Sequence, residues 1–196
     1  MFVQVIEGKL KDAGLFDRQI ERWRREIKPG AAGYLGSTSG ITADGTHIAA
    51  VRFESEAAAR ANSERSEQGA WWNETEKAFA GTPTFTESSD IEELFGGGSN
   101  DAGFVQVMKG KVKDMAAFRQ WTKDHEDELR RIRPDLIGGM DVWQPDGSFI
   151  TFAYFTSEAE ARRNEQSTAQ EPSMAEFGAQ MQGDIQFLDI SSPDLD

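Results

Sequence analysis

Residues Phe2–Asp12 read FVQVIEGKLKD, and residues Phe104–Asp114 read FVQVMKGKVKD. Eight of the eleven positions are identical, at a separation of 102 residues. Chance does not write so long a stretch twice, so the chain is read as an internal repeat. The separation holds well beyond the opening strand. Phe16 matches Phe118, Asp44-Gly45 matches Asp146-Gly147, and Phe53-Glu54-Ser55-Glu56-Ala57 matches Phe155-Thr156-Ser157-Glu158-Ala159. Asn62 matches Asn164, Gly81 matches Gly183 and Phe85 matches Phe187. Only Lys28-Pro29 and Arg133-Pro134 are offset by 105, which places three extra residues near the end of the first helix of the second repeat. The join, FGGGSNDAG at residues 95–103, has the composition of a flexible linker. The expected organisation is repeat 1 at 1–94, the linker at 95–103 and repeat 2 at 104–196.

Each repeat carries the same order of signals. A strand-like apolar run comes first. A helix follows, with Phe16, Ile20, Trp23 and Ile27 spaced by four, three and four, and Pro29-Gly30 stops it. Two strands come next, roughly 33–37 and 48–53, and then 139–143 and 149–155. The second pair is joined by Gln144-Pro145-Asp146-Gly147, a strong hairpin turn. Ser55 and Ser157 are helix N-caps, the latter with Glu160 in a capping box. A second helix, 56–79 or 158–181, is interrupted near Gly69 and Pro172, and a last strand holds Phe85 or Phe187. The order βαββαβ is the ferredoxin-like split unit. Strand 1 is apolar on both sides, whereas a sheet with one wet face alternates. The expectation is an α+β chain of two tandem ferredoxin-like repeats packed sheet to sheet.

This repeat pattern resembles the dimeric α/β-barrel superfamily, which includes the antibiotic-biosynthesis monooxygenases, stress-responsive barrel proteins and haem-degrading monooxygenases. The resemblance spans nearly the whole chain and implies a fused dimeric α/β barrel. The stretch FESEAAARANSERSEQGAWWNE, residues 53–74, is also similar to uncharacterised tandem-repeat actinobacterial proteins. The superfamily implies a small-molecule protein, either a cofactor-independent monooxygenase on an aromatic or polyketide-like substrate or a non-catalytic ligand-binding or stress-response barrel. Its haem-degrading members ligate iron through a histidine on helix 2. Neither copy of helix 2 here contains one, so no cofactor is expected.

Composition narrows the partners. The 196 residues carry a formal net charge of -13, spread over both halves. Nucleic acids and anionic membrane surfaces attract clustered Lys and Arg, so neither is expected as a partner. There is no cysteine, hence no disulfide and no thiolate site. No signal peptide or long apolar span is visible, so a cytoplasmic protein is expected, as a monomeric pseudo-dimer or a homodimer. A small aromatic or hydrophobic ligand is the expected partner.

Candidate site residues come from the departures between repeats. Ile20 and Trp23 of repeat 1 become Thr122 and His125 in repeat 2. Burying these polar groups unpaired costs a few kcal/mol, so they need protein partners, water or a ligand. His125 is the first general acid/base candidate, with Thr122, Trp121 and Trp143 as walls of a pocket in repeat 2. The alternatives are a satisfied core histidine or an exposed one among Asp124, Glu126 and Asp127. With Val3 and Val5 turned to the helices, Gln4, Arg52, Gln106 and Tyr154 would share the space between the sheets. There they would either orient a polar aromatic ligand or form a hydrogen-bonded network that fixes register. Asn62 and Asn164 recur on helix 2 and complete the set, as bonds to the sheet or to the helix break or as ligand contacts. Trp71, the spare ring beside Trp72, reads as core or interface, covering a pocket or an oligomer contact, rather than as a catalytic group.

Overall fold

The computed structural model describes all 196 residues, and they divide into two compact units. Unit 1 comprises Met1–Ser89 together with Asp194–Asp196, and unit 2 comprises Asp90–Pro193.

Unit 1 contains β1 (Phe2–Lys9), α1 (Ala13–Arg22), β2 (Tyr34–Ile41), β3 (Thr46–Phe53), α2 (Glu56–Ser63), α3 (Ser66–Thr75) and β4 (Thr84–Ser88). Local chemistry explains the boundaries. Asp12 caps α1 by accepting from the Leu15 amide at 2.8 Å, and Ser55 caps α2 by accepting from the Ala58 amide at 3.2 Å. Gly45 takes φ +84° in the β2–β3 turn, a conformation that favours glycine. The Asp44 carboxylate binds Thr42, Lys9 and Thr46 there and is held far below the usual carboxylate range by those bonds. Beyond Arg22 the first helix continues as a π-helical turn at Trp23–Ile27 and a 3-10 turn at Lys28–Gly30.

Unit 2 repeats the plan, with β5 (Ile91–Leu94), β6 (Phe104–Lys111), α4 (Met115–Asp124), α5 (Glu126–Ile132), β7 (Leu136–Trp143), β8 (Ser148–Phe155), α6 (Glu158–Thr168), α7 (Pro172–Gln180) and β9 (Gln186–Ile190). The remaining strand, β10 (Asp194–Leu195), belongs to unit 1. The sheets are antiparallel and five-stranded, ordered β10-β2-β3-β1-β4 and β5-β7-β8-β6-β9. The chain is therefore α+β, with two tandem ferredoxin-like units.

Two details differ from the sequence reading. Unit boundaries follow strand pairing rather than the repeat: Ile91–Leu94 pairs with β7, and Asp194 and Leu195 pair with Ser39 and Thr38 of β2. The segment read as a free linker is held in place as well. Gly97 donates to the Leu94 carbonyl at 3.1 Å and Gly103 to the Phe155 carbonyl at 3.0 Å, and a Cβ on Gly138 would meet the Gly97 carbonyl at 2.0 Å.

The second difference concerns which face is which. Residues directly opposite on paired strands share a face. Phe2 lies opposite Phe53, Gln4 opposite Val51 and Ile6 opposite Ala49. Phe2 and Phe53 pack on Ala59 of α2. The helix face of β1 therefore carries Phe2, Gln4 and Ile6, while Val3 and Val5 point away from the helices. Unit 2 agrees, with Phe104 and Phe155 packed on Ala161 of α6 and Gln106 opposite Ala153. The expectation was the reverse, and it failed because both faces of β1 are apolar.

Candidate active site in unit 1

Between the helices and the sheet of unit 1 lies a cavity of about 270 Å³. That is just under the roughly 300–1,000 Å³ usual for small-molecule sites. The floor is β3, through His47, Ala49, Val51 and Phe53, with Gln4 and Ile6 of β1 beside it. Aromatic rings make the walls. Trp23 comes from the π-helical turn, Trp71 and Trp72 from α3, Phe16 from α1 and Phe85 from β4. The indole N–H of Trp71 donates to the Gln19 carbonyl at 2.7 Å and that of Trp23 to the Gln68 side chain at 3.2 Å. Both polar handles are committed to protein, so these rings offer only apolar surface to an occupant.

Polar side chains also line the cavity, among them Gln4, Ser37, Ser39, Asn62, Gln68 and Thr75. Asn62, buried on α2, accepts from Arg65 at 3.0 Å through Oδ1. Arg65 also reaches the Ile27 carbonyl at 3.2 Å, so it ties the end of the first helix to the α2–α3 break. Tyr34 donates to Asp196 at 2.9 Å, and burial with that neighbouring carboxylate holds its phenol protonated far above its ordinary range. Arg24 and Lys28 form ion pairs with Asp194 and Asp196, which also line the cavity.

His47 is the one histidine of this cavity. It is 5% exposed, lies against Phe16 with ring centroids 4.4 Å apart, and has Phe79 at 6.0 Å. Nδ1 is sealed and without a hydrogen-bond partner. Burial without a counter-charge lowers its pKa to about 4, so the imidazole is neutral near pH 7.

The residues singled out from the sequence are placed differently. Gln4 donates to Glu87 at 2.7 Å and Gln106 to Asp189 at 3.0 Å. Each carboxylate pairs with an arginine of a helix earlier in its unit, Arg60 of α2 or Arg162 of α6. These twin networks stitch β1 to β4 and β6 to β9 on the helix faces. Arg52 is opposite Val3, on the other face from Gln4, and donates to the Asp196 carbonyl at 3.0 Å. Tyr154 is opposite Val105, likewise on the face away from the helices. The four residues therefore do not form one group, because the strand facing was inverted for the glutamines alone.

In unit 2 the Thr122 hydroxyl donates to the Phe118 carbonyl of its own helix at 3.1 Å. His125 sits at the α4–α5 junction, where its Nδ1 is 2.8 Å from the Trp121 carbonyl and its ring stacks on Trp121. Its Nε2 is 3.5 Å from Glu176, which also accepts from the Trp121 indole at 3.1 Å. Trp143 is buried in the apolar cluster and donates to Glu92 at 3.2 Å. Asn164 donates to buried Asp135 at 2.7 Å. The positions matching the unit 1 cavity are filled: Phe149 stands where His47 stands, Phe177 where Thr75 stands and Met181 where Phe79 stands, packed in one cluster with Phe118 and Trp143. Reasoning from sequence passed over His47, although the repeat comparison that picked out His125 marks it too, as an imidazole where its twin has a phenylalanine.

No family profile and no curated protein matches the chain by sequence. Solved structures do match over its whole length. A protein from Fusobacterium nucleatum subsp. nucleatum, provisionally assigned as a monooxygenase, superposes with a TM-score of 0.78 at 10% identity, covering 100% of this chain and 93% of its own. A provisionally assigned monooxygenase from Lactobacillus acidophilus NCFM gives 0.72 at 12% identity, with 99% and 98% covered. The chain shares the fold of these proteins over its whole length, with two ferredoxin-like units in tandem. An anthrone oxidase-like protein shares this tandem fold at a TM-score of 0.66 and 10% identity, with 99% and 92% covered. Identities this low carry the fold of the tandem units and leave the chemistry of this chain to its own residues. None of its helices is long and apolar enough to cross a membrane.

Proposed function

We propose that unit 1 binds a flat, largely apolar aromatic molecule and that the chain is a cofactor-independent monooxygenase acting on it. The observation that carries this reading is the asymmetry of the repeats. One fold is built twice, with aromatic side chains filling the core of one copy and framing a cavity in the other. Selection for stability alone would fill both copies, since empty apolar volume costs stability. The match to an anthrone oxidase-like protein supports the substrate class.

The chemistry such a site suits needs no resident cofactor. A methylene flanked by aromatic rings and conjugated to a carbonyl loses a proton to give an enolate. Electrons from that enolate reduce O2, one oxygen atom ends as the new carbonyl, and the other leaves as water with the two displaced hydrogens. Substrate is the reductant and O2 the oxidant, in a ratio of one to one. The protein's part is to hold the ring system between indole faces, to exclude water and to stabilise the oxygen on which charge develops.

The test is ligand binding followed by quenching of tryptophan fluorescence, since Trp23, Trp71 and Trp72 line the cavity. Anthrone-like tricyclic ketones should bind and, under air, consume one O2 per molecule oxidised. Ala49→Phe, which fills the buried floor, should abolish both while circular dichroism stays native. Binding that survives Ala49→Phe would refute the assignment to this cavity.

A further inference from the structure

We propose that His47 recognises a carbonyl oxygen of the ligand, through a neutral imidazole that donates its Nε2–H into the unit 1 cavity. This rests on the aromatic-ligand reading above and names the group that distinguishes one aromatic molecule from another.

Geometry points to Nε2. Nδ1 is sealed and without a partner, whereas Nε2 has no protein partner and is not among the sealed atoms of a residue that lines the cavity. In a neutral imidazole one nitrogen carries the proton and the other a lone pair. Buried N–H groups left without acceptors are rarer than under-used acceptors. The proton therefore belongs on Nε2, where the cavity offers it an acceptor from the ligand, and the lone pair belongs on Nδ1 against Phe16 and Phe79. No carboxylate is placed to pair with the ring, so it does not act as an imidazolium.

Packing does not require an imidazole at this position. Phe149, the twin residue, is buried in the same place on β8 and stacks on Phe118 with centroids 6.3 Å apart. A phenyl ring would serve the core of unit 1 equally well and would remove the orphaned nitrogen. The imidazole adds one directional N–H donor to apolar surroundings, where an unmet ligand hydrogen bond is costly and a met one is selective. A neutral donor suits a ketone or quinone oxygen, and it strengthens its hold if enolate charge develops there, without losing its proton.

The experiment compares 1-tetralone, tetralin and 1-tetralol, which share a carbon skeleton and differ in carrying a carbonyl, nothing or a hydroxyl. Affinities of the wild-type chain, His47→Phe and His47→Gln are measured by calorimetry. The tetralone-to-tetralin affinity ratio should fall about tenfold in His47→Phe, one neutral hydrogen bond's share. His47→Gln, which keeps an N–H donor, should retain part of the ratio. Nitrogen-15 imidazole shifts should show His47 protonated on Nε2; with two histidines in the chain, the His47→Phe spectrum assigns the signal. An unchanged ratio in His47→Phe, a wild-type preference for tetralol that this variant loses, or a proton on Nδ1 would overturn the assignment while leaving the cavity reading intact. If neither tetralin nor tetralone binds the wild-type chain, the cavity reading falls, and this inference with it.

Discussion

Replacing His47 by phenylalanine should make the protein more stable and less sensitive to acid. Near neutral pH the substitution removes a buried nitrogen without a partner, a burden of about 1–3 kcal/mol. The pH dependence follows from linkage. His47 has a folded-state pKa of about 4, against 6.5 for an unhindered histidine. Between those values the unfolded chain binds the proton that the folded chain refuses, so stability falls as pH drops below 6.5 and levels off near 4. At 1.36 kcal/mol per pH unit the whole loss is about 3 kcal/mol. The titratable groups sharing the cavity, Arg24, Tyr34, Asp194 and Asp196, are present in both proteins, so their contribution cancels in the comparison. Urea unfolding at about pH 7, 5.5 and 4.5 gives the difference directly. The stability gap between variant and wild type should widen by about 2–3 kcal/mol over that range, given the linkage above. A constant gap would show that the imidazole is solvated in the folded chain and would undo the account of the cavity floor.

Asp141 of β7 behaves in the opposite sense: burial, with Glu92 nearby, raises its carboxyl to about 6, so Asp141→Asn should stabilise the chain by about 3 kcal/mol near pH 7 and by little near pH 4, as urea unfolding would show. Trp71→Ala should cost about 3–5 kcal/mol in the same assay, because it deletes a buried indole and its bond to Gln19. Gly36→Ala places a Cβ 2.2 Å from the Asp196 carbonyl at a residue with φ +132°, so it should detach residues 194–196 and raise amide exchange at Ser37 and Asp196, which bond reciprocally at 2.9 Å. His125→Ala should cost about 1 kcal/mol or less and leave binding in the unit 1 cavity unchanged, since His125 belongs to unit 2 and its partners are Trp121 and Glu176.

Much of this architecture was legible in the sequence because it rests on local chemistry. Ser55 and Ser157 cap helices in the structure as their positions in the repeat require. The turn at Asp146-Gly147 forms where it was read, with Gly147 at φ +84°. The facing of β1 was not legible, because alternation identifies a buried face only when the other face is polar. Val3 and Val5 are as buried as Phe2, so the strand gives no periodic cue. Gln4 then misled, since an amide that looks destined for a special interior is satisfied by Glu87 on the neighbouring strand. The pairing of Ile91–Leu94 with β7 was beyond reach for a different reason: strand exchange between repeats is topological and leaves no mark on residue spacing.

The site itself shows what repeat comparison can and cannot do. Both histidines replace an aromatic residue of the other copy, His125 matching Trp23 and His47 matching Phe149 in the repeat. Substitution alone ranks them equally, and surroundings separate them. His125 lies at a helix junction, where a backbone carbonyl and a nearby carboxylate meet its two nitrogens, so it needs nothing further. His47 lies near the start of the central strand β3, against Phe16 and Phe79, with neither nitrogen bonded to protein. A polar group whose partners are supplied by its own helix and a packed neighbour is a structural substitution. A polar group left without partners on the wall of an empty space is a standing cost in stability, and binding is the event that offsets it. That distinction rests on three-dimensional bonding, and it moves the candidate site from the second repeat to the first.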